Sequence, residues 1–322
     1  MVNLVEADVS TLVVGSIALD TVETPHGNAT DALGGTAVFF SIAACNFTSV
    51  NVVGVVGEDF PERHIELLQG RGCNLDGLQR RPGRTFRWVG SYDQNMNVAH
   101  TLDTQLNVFE SFHPELPLSY RRPRTLFLGN IDPELQLMVL EQCGAPTLTA
   151  LDTMNFWIAR KREALTDVIR HVDVVLVNEE EAREYAGVYP IHEAARYIRE
   201  LGPHSVVIKR GEYGSVMFTD GGYVAIPAFP SEQVKDTTGA GDSFAGGFLG
   251  YLDRAEEVKA DVLRRALAYG TVMASFTVED FSIDGLSSVS ERHIEERYER
   301  LRDITAIEPL QQSQRIPVQR GA

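Results

Sequence analysis

The chain has 322 residues, with 29 basic against 45 acidic side chains, a formal charge of −16, and 43% hydrophobic and 23% charged residues. This is the balance of a globular protein with one substantial core, and its negative field opposes unguided binding to nucleic acid or to an anionic membrane surface. The same field opposes a polyphosphate, so any nucleotide site must draw positive potential from backbone amides, a metal ion or a few placed cations.

Cys45, Cys73 and Cys143 are scattered without a C-x-x-C spacing, the pattern of reduced thiols and not of a disulfide framework or structural zinc site. The first apolar run follows Glu6 and Asp8 without a basic flank, and no apolar stretch approaches the roughly 20 residues that span a bilayer, so a cytoplasmic protein is expected.

Thr11 to Ile17 reads as a buried strand ending in small residues, Ala37 to Cys45 as a helix packed on a sheet, and Val50 to Val56 as a second strand closed by Gly57. This order predicts parallel βαβ construction. Between Arg84 and Phe112, polar, aromatic and β-branched residues interleave as in strands with one wet face, which predicts a small sheet standing off the main body. From Thr125 the alternation resumes. Leu126 to Leu128, Leu148 to Leu151, Val172 to Val177 and Ser205 to Ile208 are short apolar strands, separated by helical segments such as Pro133 to Gln142 and Ile191 to Leu201. That is the pattern of a doubly wound α/β sheet. Helical periodicity returns over Asp242 to Leu252 and Val262 to Phe276, and the polar stretch Gln311 to Ala322 reads as a frayed tail. The expected organisation is one α/β domain over residues 1–310, with lid strands from about 18–34 and 84–112, and a flexible tail over 311–322.

The string Asp236-Thr-Thr-Gly-Ala-Gly-Asp242 is the most informative. Gly239 and Gly241 let the backbone turn its amides toward one point, just where a helix begins, and a glycine-rich approach to a helix N-terminus is an anion site. Asp242 falls in the first turn, where the dipole favours its ionised form by roughly 0.3 to 1 kcal/mol; a carboxylate at neutral pH is expected. An anion cradle beside a carboxylate is what hydroxyl phosphorylation needs. No lysine follows a glycine, which excludes a Walker A loop, and Phe244 stands where a Rossmann fingerprint needs its third glycine. A plain glycine cap would explain one glycine but not the whole string.

Asp236 to Asp242 resembles the C-terminal signature D-T-x-G-A-G-D of the ribokinase, or PfkB, carbohydrate kinase family, and Gly34-Gly35 followed by Val53-Gly-Val-Val-Gly-Glu-Asp59 is similar to its N-terminal signature. The resemblance runs from about Leu12 to Leu286. It implies a ribokinase-like sheet with a small β lid and transfer of the ATP γ-phosphate to a hydroxyl of a sugar or polyol; a nucleoside acceptor and a non-catalytic ligand-binding relative are the alternatives. By the resemblance, Gly239, Ala240 and Gly241 form the anion hole and Asp242 is the base. Lys209, Gly211 and Gly214 match the K-x-G-x-x-G nucleotide element, with Thr238 beside them, and Gly270 to Phe281 matches the stretch that walls the adenine pocket. Asn178 and Glu181 match the N-x-x-E element that organises magnesium through water, and Asp236 matches a monovalent-cation (K+) position of some relatives. On the residues alone, Asn178 followed by glutamates is also a helix N-terminus, and Lys209 a solvated lysine in a hairpin turn.

For the acceptor, the resemblance points to Asp20, Gly34 and Gly35, and more loosely to Asp152 and Asn155 of a D-x-N-x-R-like element that lacks its arginine. Phe39 replaces an asparagine that often binds hydroxyls, and its ring, with the aromatic lid, would suit a flat base. Trp88 and Tyr92 are assigned to the lid, whose edge commonly pairs with a second subunit in relatives, so a homodimer is a further expectation.

Overall fold

The computed structural model describes residues 10–307, so the tail expected over 311–322 lies outside the described residues. Strand β1 (Ser10–Val14) stops three residues short of the predicted Ile17, because Gly15, Ser16 and Ile17 lead the chain off the main sheet into a second one. There β2 (Ala18–Thr24) and β3 (Gly27–Gly34) form a hairpin, after which α1 (Thr36–Ala44) returns to the body. Then come β4 (Ser49–Gly57), α2 (Glu62–Gly70) and β5 (Cys73–Arg81), followed by the second half of the small sheet, β6 (Phe86–Tyr92) and β7 (Ala99–Gln105). Residues 107–111, read as strand-like, form a 3-10 turn instead.

The alternation after Thr125 yields β8 (Thr125–Leu128), α3 (Pro133–Gln142), β9 (Leu148–Asp152), α4 (Asn155–Arg160), α5 (Arg162–Ile169), β10 (Val174–Asn178), α6 (Glu179–Ala186), α7 (Ile191–Arg199) and β11 (Ser205–Lys209). An antiparallel hairpin follows, β12 (Ser215–Thr219) and β13 (Gly222–Ile226), then α8 (Ala240–Asp253), α9 (Ala260–Thr277), α10 (Asp284–Ser287) and α11 (Glu291–Thr305). The main sheet runs β13-β12-β11-β10-β9-β8-β1-β4-β5, parallel except at β12 and β13; the small sheet runs β3-β2-β6-β7.

Central strands are buried on both faces, so their apolar runs divide by parity. Val13, Phe127 and Val207 point into one core, with Phe40, Phe248, Leu267 and Met273; Leu12, Val14, Leu126, Leu128 and Ile208 point into the other, with Val139, Leu165 and Ile198. No helix of the described residues is long and apolar enough to cross a membrane.

Two helix N-termini face the same end of the sheet, those of α1 and α8, and the two helices pack closely because α8 presents glycines. A Cβ on Gly246 would sit 2.4 Å from the Phe40 carbonyl oxygen and 2.8 Å from the Ala43 Cβ. Gly246→Ala is therefore expected to push α8 off α1, costing about 1–3 kcal/mol as overpacking does; thermal denaturation should show a Tm several degrees lower.

Candidate active site at the N-termini of α1 and α8

Gly239 caps α8 in the left-handed region, at φ 74°, and a Cβ there would lie 2.3 Å from the Phe39 ring. The turn is thus glycine because it rests flat on Phe39. The helix proper begins with Ser243 donating to the Gly239 carbonyl at 2.8 Å, and Ala240 donates to Thr237 at 3.2 Å. Among the described residues, the N–H groups of Gly239, Gly241 and Asp242 have no hydrogen-bond partner, which leaves them free at the start of the helix, where an anion is favoured. The Ala240 amide, counted with them on sequence grounds, is already engaged.

Around this turn the structure gathers charge. Lys209, at the end of β11, is largely enclosed with 16% of its side chain exposed, and its Nζ lies 2.7 Å from Asp152 Oδ2 and 3.0 Å from where a Cβ of Gly241 would be. It ends β11 where the chain turns back into the antiparallel β12, as the hairpin reading has it, but its ammonium is drawn into a charged cluster and not into solvent. Burial opposes its charge, but Asp152, Glu181 and Asp242 hold its pKa above the usual lysine range. It therefore stands as an ammonium beneath the first turn of α8.

Burial, and then the charge of Asp152, push the Asp242 carboxyl up to about 7, against the pull of Lys209 and of the Thr36 hydroxyl in the first turn of α1. The helix dipole alone would favour the ionised form, as expected from the sequence, but desolvation outweighs its contribution of roughly 0.3 to 1 kcal/mol. Thr36 is a site residue that the motifs did not single out, and its only signal was a hydroxyl following the glycine pair.

Asp20, on β2 and 7% exposed, likewise has its carboxyl raised to about 7, by burial first and then by Asp236. A Cβ on Gly34 would fall 1.9 Å from its Oδ2, and Gly35 starts α1 at φ 92° with no room for a Cβ against the Ser16 carbonyl. What the glycine pair admits is the Asp20 carboxylate itself. Asp236 is 1% exposed; its Oδ1 accepts from the Thr238 amide at 2.9 Å and its Oδ2 has no partner among the described residues.

Other expected residues stand elsewhere. Phe39 is 1% exposed beneath the turn, so it offers no face to a ligand. Asp152 has both oxygens engaged, one by Lys209 and one by the Thr153 amide at 2.8 Å, and is part of the charge array and not an acceptor contact. The Asn155 amide donates to Glu184 of α6, away from Asp20. Asn178 and Glu181 form a reciprocal capping box at α6, with Asn178 Oδ1 accepting from the Glu181 amide and Glu181 Oε2 from the Asn178 amide. The helix-start reading thus holds, and burial, followed by Asp152, also raises the Glu181 carboxyl to about 8, within the same charged cluster. Gly211 and Gly214, at φ 55° and 85°, bound a compact 3-10 turn after Lys209.

The small sheet lies over this end of the molecule and is tied to it. Thr237 Oγ1 donates to the Met96 carbonyl at 2.7 Å, Thr238 Oγ1 to Tyr92 Oη at 3.1 Å, and Asn97 Nδ2 to Glu212 at 3.3 Å. The Thr238 hydroxyl is therefore committed to a lid tyrosine, a contact that no sequence motif announces.

Residues 139–286 match the family model of the pfkB family carbohydrate kinases. The chain is 29% identical over 253 residues to the cytidine kinase of Thermococcus kodakarensis, which covers 77% of this chain and 90% of that protein. In fold it is similar to the Methanocaldococcus jannaschii nucleoside kinase, with a TM-score of 0.73 at 20% identity over 90% of this chain and 98% of that one. It is also similar to an E. coli chain assigned as ribokinase II and solved with ATP and Mg2+, with a TM-score of 0.74 at 17% identity over 90% and 99% of the two chains. The segment that carries the glycine turn, Asp152 and Lys209 is thus the segment that matches the pfkB family carbohydrate kinases.

Proposed function

We propose that the chain transfers the γ-phosphate of ATP to a hydroxyl of an uncharged sugar, polyol or nucleoside. The observation that carries this reading is the convergence, under one lid, of the unpaired amides of Gly239 and Gly241, the Lys209 ammonium and the carboxylates of Asp242 and Asp20. The acceptor O–H gives its proton to Asp242 as the oxygen forms its bond to the γ-phosphorus, and the bond from that phosphorus to the β,γ-bridging oxygen breaks to release ADP. Charge on the phosphoryl group is met by the amides, each worth about 2.7 to 4 kcal/mol in such sites, and by Lys209. Asp20 can accept two hydroxyl donors and so hold the acceptor's remaining hydroxyls. The docked lid keeps water from taking the phosphoryl group.

The donor set fits magnesium. Glu181, Asp152 and Asp242 place three carboxylates around one ammonium, a surplus of hard anionic oxygens, though no preformed cluster of three metal ligands is found among the described residues. Such a cation would sit mainly on phosphate and water, with Asn178 and Glu181 organising the waters, and would neutralise phosphate charge. The unpartnered, buried Oδ2 of Asp236 supports a monovalent cation such as K+ at the loop that carries the anion turn. Gly211, Gly214 and the loop after α9 are assigned to the nucleotide, following the turn after Lys209. Strand β7 is exposed along its whole length as a sheet edge, with Leu102 63% exposed, and a second copy of the chain is proposed to cover it.

Incubation with ATP, magnesium and a panel of sugars, polyols and nucleosides should release ADP with at least one acceptor; no release with any would remove the reading. For that acceptor, kcat/KM should climb about tenfold per pH unit below pH 7 and level off above, since the raised Asp242 carboxyl must ionise to accept the proton.

Asp242→Asn should lower kcat by about 10²- to 10⁴-fold. Its effect on stability should run the other way. Because the folded pKa of Asp242 lies above its ordinary 3.8, its own contribution to stability is fully present below that value and is lost as pH rises through about 7. The Asn variant escapes that decline, so its Tm should exceed wild type by a few degrees at pH 8 and match it near pH 4.

A further inference from the structure

The lid carries an aromatic surface aimed at the acceptor. Strands β2 and β6 are parallel, with Asp20 opposite Trp88 and Val22 opposite Gly90, and residues directly opposite in a sheet share a face. The Asp20 carboxylate interacts with Asp236 and Asp242, which makes its face the one over the cleft. From the far end of β6, Tyr92 reaches Thr238 of the anion loop from that same face. Trp88 therefore belongs to the roof of the acceptor site, beside Asp20.

Its ring is also held in place. A Cβ on Gly90 would fall 2.1 Å from Cη2 and 2.3 Å from Cζ2 of Trp88, so the indole lies down on the bare backbone of Gly90, which only glycine leaves open. The Trp88 Nε1 donates to Thr101 Oγ1 of β7 at 3.1 Å. One ring face is thus spent on the sheet, and among the described residues no other aromatic ring or guanidinium stacks on the indole. The pocket's other candidate platform, Phe39, is sealed beneath Gly239.

Charge narrows the ligand further. Asp20, Asp236 and Asp242 line the site, Lys209 is held by Asp152, and Arg87, beside Trp88 in sequence and so on the lid's other face, is paired with Asp31 and Asp59. An acidic acceptor would meet carboxylates and no uncommitted cation among these. Building on the kinase reading above, we propose that Trp88 determines acceptor specificity, its free face seating the planar base of a neutral nucleoside whose ribose diol is held by Asp20. Stacking suits this task because every base has a π face, and a ring already fixed loses little freedom on binding.

Two measurements test it. With ATP and magnesium, Trp88→Ala should raise KM for adenosine or cytidine by about 5- to 150-fold, with kcat changed far less, and should lower kcat/KM for a base-free acceptor such as ribose by a clearly smaller factor; Trp88→Phe should recover most of the nucleoside loss. Equal losses for nucleoside and ribose would overturn the proposal. Independently of turnover, a Trp157→Phe protein keeps Trp88 as its sole indole, since the chain has two tryptophans. Its fluorescence should be quenched saturably by nucleosides and not by ribose, and absence of nucleoside quenching overturns the assignment. If no acceptor is phosphorylated, the kinase reading falls, while quenching still decides whether Trp88 seats a base.

Discussion

Like charges crowded against an anion-binding turn set the terms for this end of the molecule. Asp20, Asp152, Glu181, Asp236 and Asp242 lie in or around one cleft, and Lys209 is the ammonium placed among them. Buried carboxylates repel one another and resist ionisation, so the carboxyls of Asp20 and Asp242 rise to about 7. The arrangement is costly to the free protein and suits a ligand that brings its own cation. A nucleotide with magnesium would meet amides and an ammonium at one edge of the cluster and surplus carboxylate at the other.

Much of the fold serves to hold that cluster still. The close approach of α1 and α8 through Gly246 aligns Thr36 with Asp242, and Phe39 supports the Gly239 turn from below. Asp152 fixes Lys209 under the first turn of α8, and the Asn178–Glu181 capping box starts α6 beside it. Residues that a motif would assign to substrate or metal are thus also engaged with one another, which holds the cluster in place. The lid is tied in by hydroxyls of the same loop that presents the anion turn, so lid and turn share Thr237 and Thr238.

The chain order of strands and helices, the placement of the main helices and the presence of a separate polar sheet were all legible in the sequence, because hydrophobic periodicity and glycine placement are local properties. So was the anion turn: a run of small residues entering a helix requires no knowledge of distant neighbours. The hairpin of β12 and β13 and the edge strand β5 escaped notice, since short half-exposed strands carry a weaker pattern.

The sequence by itself therefore determined the fold class, the glycine turn that opens α8 and the carboxylate that follows it. Only the tertiary structure decided the sign of the Asp242 shift, the burial of Phe39, the pairing of Asp152 with Lys209 and the face on which Trp88 lies. Each of these depends on desolvation or on side chains brought together from remote segments, and neither is encoded in the spacing of neighbouring residues.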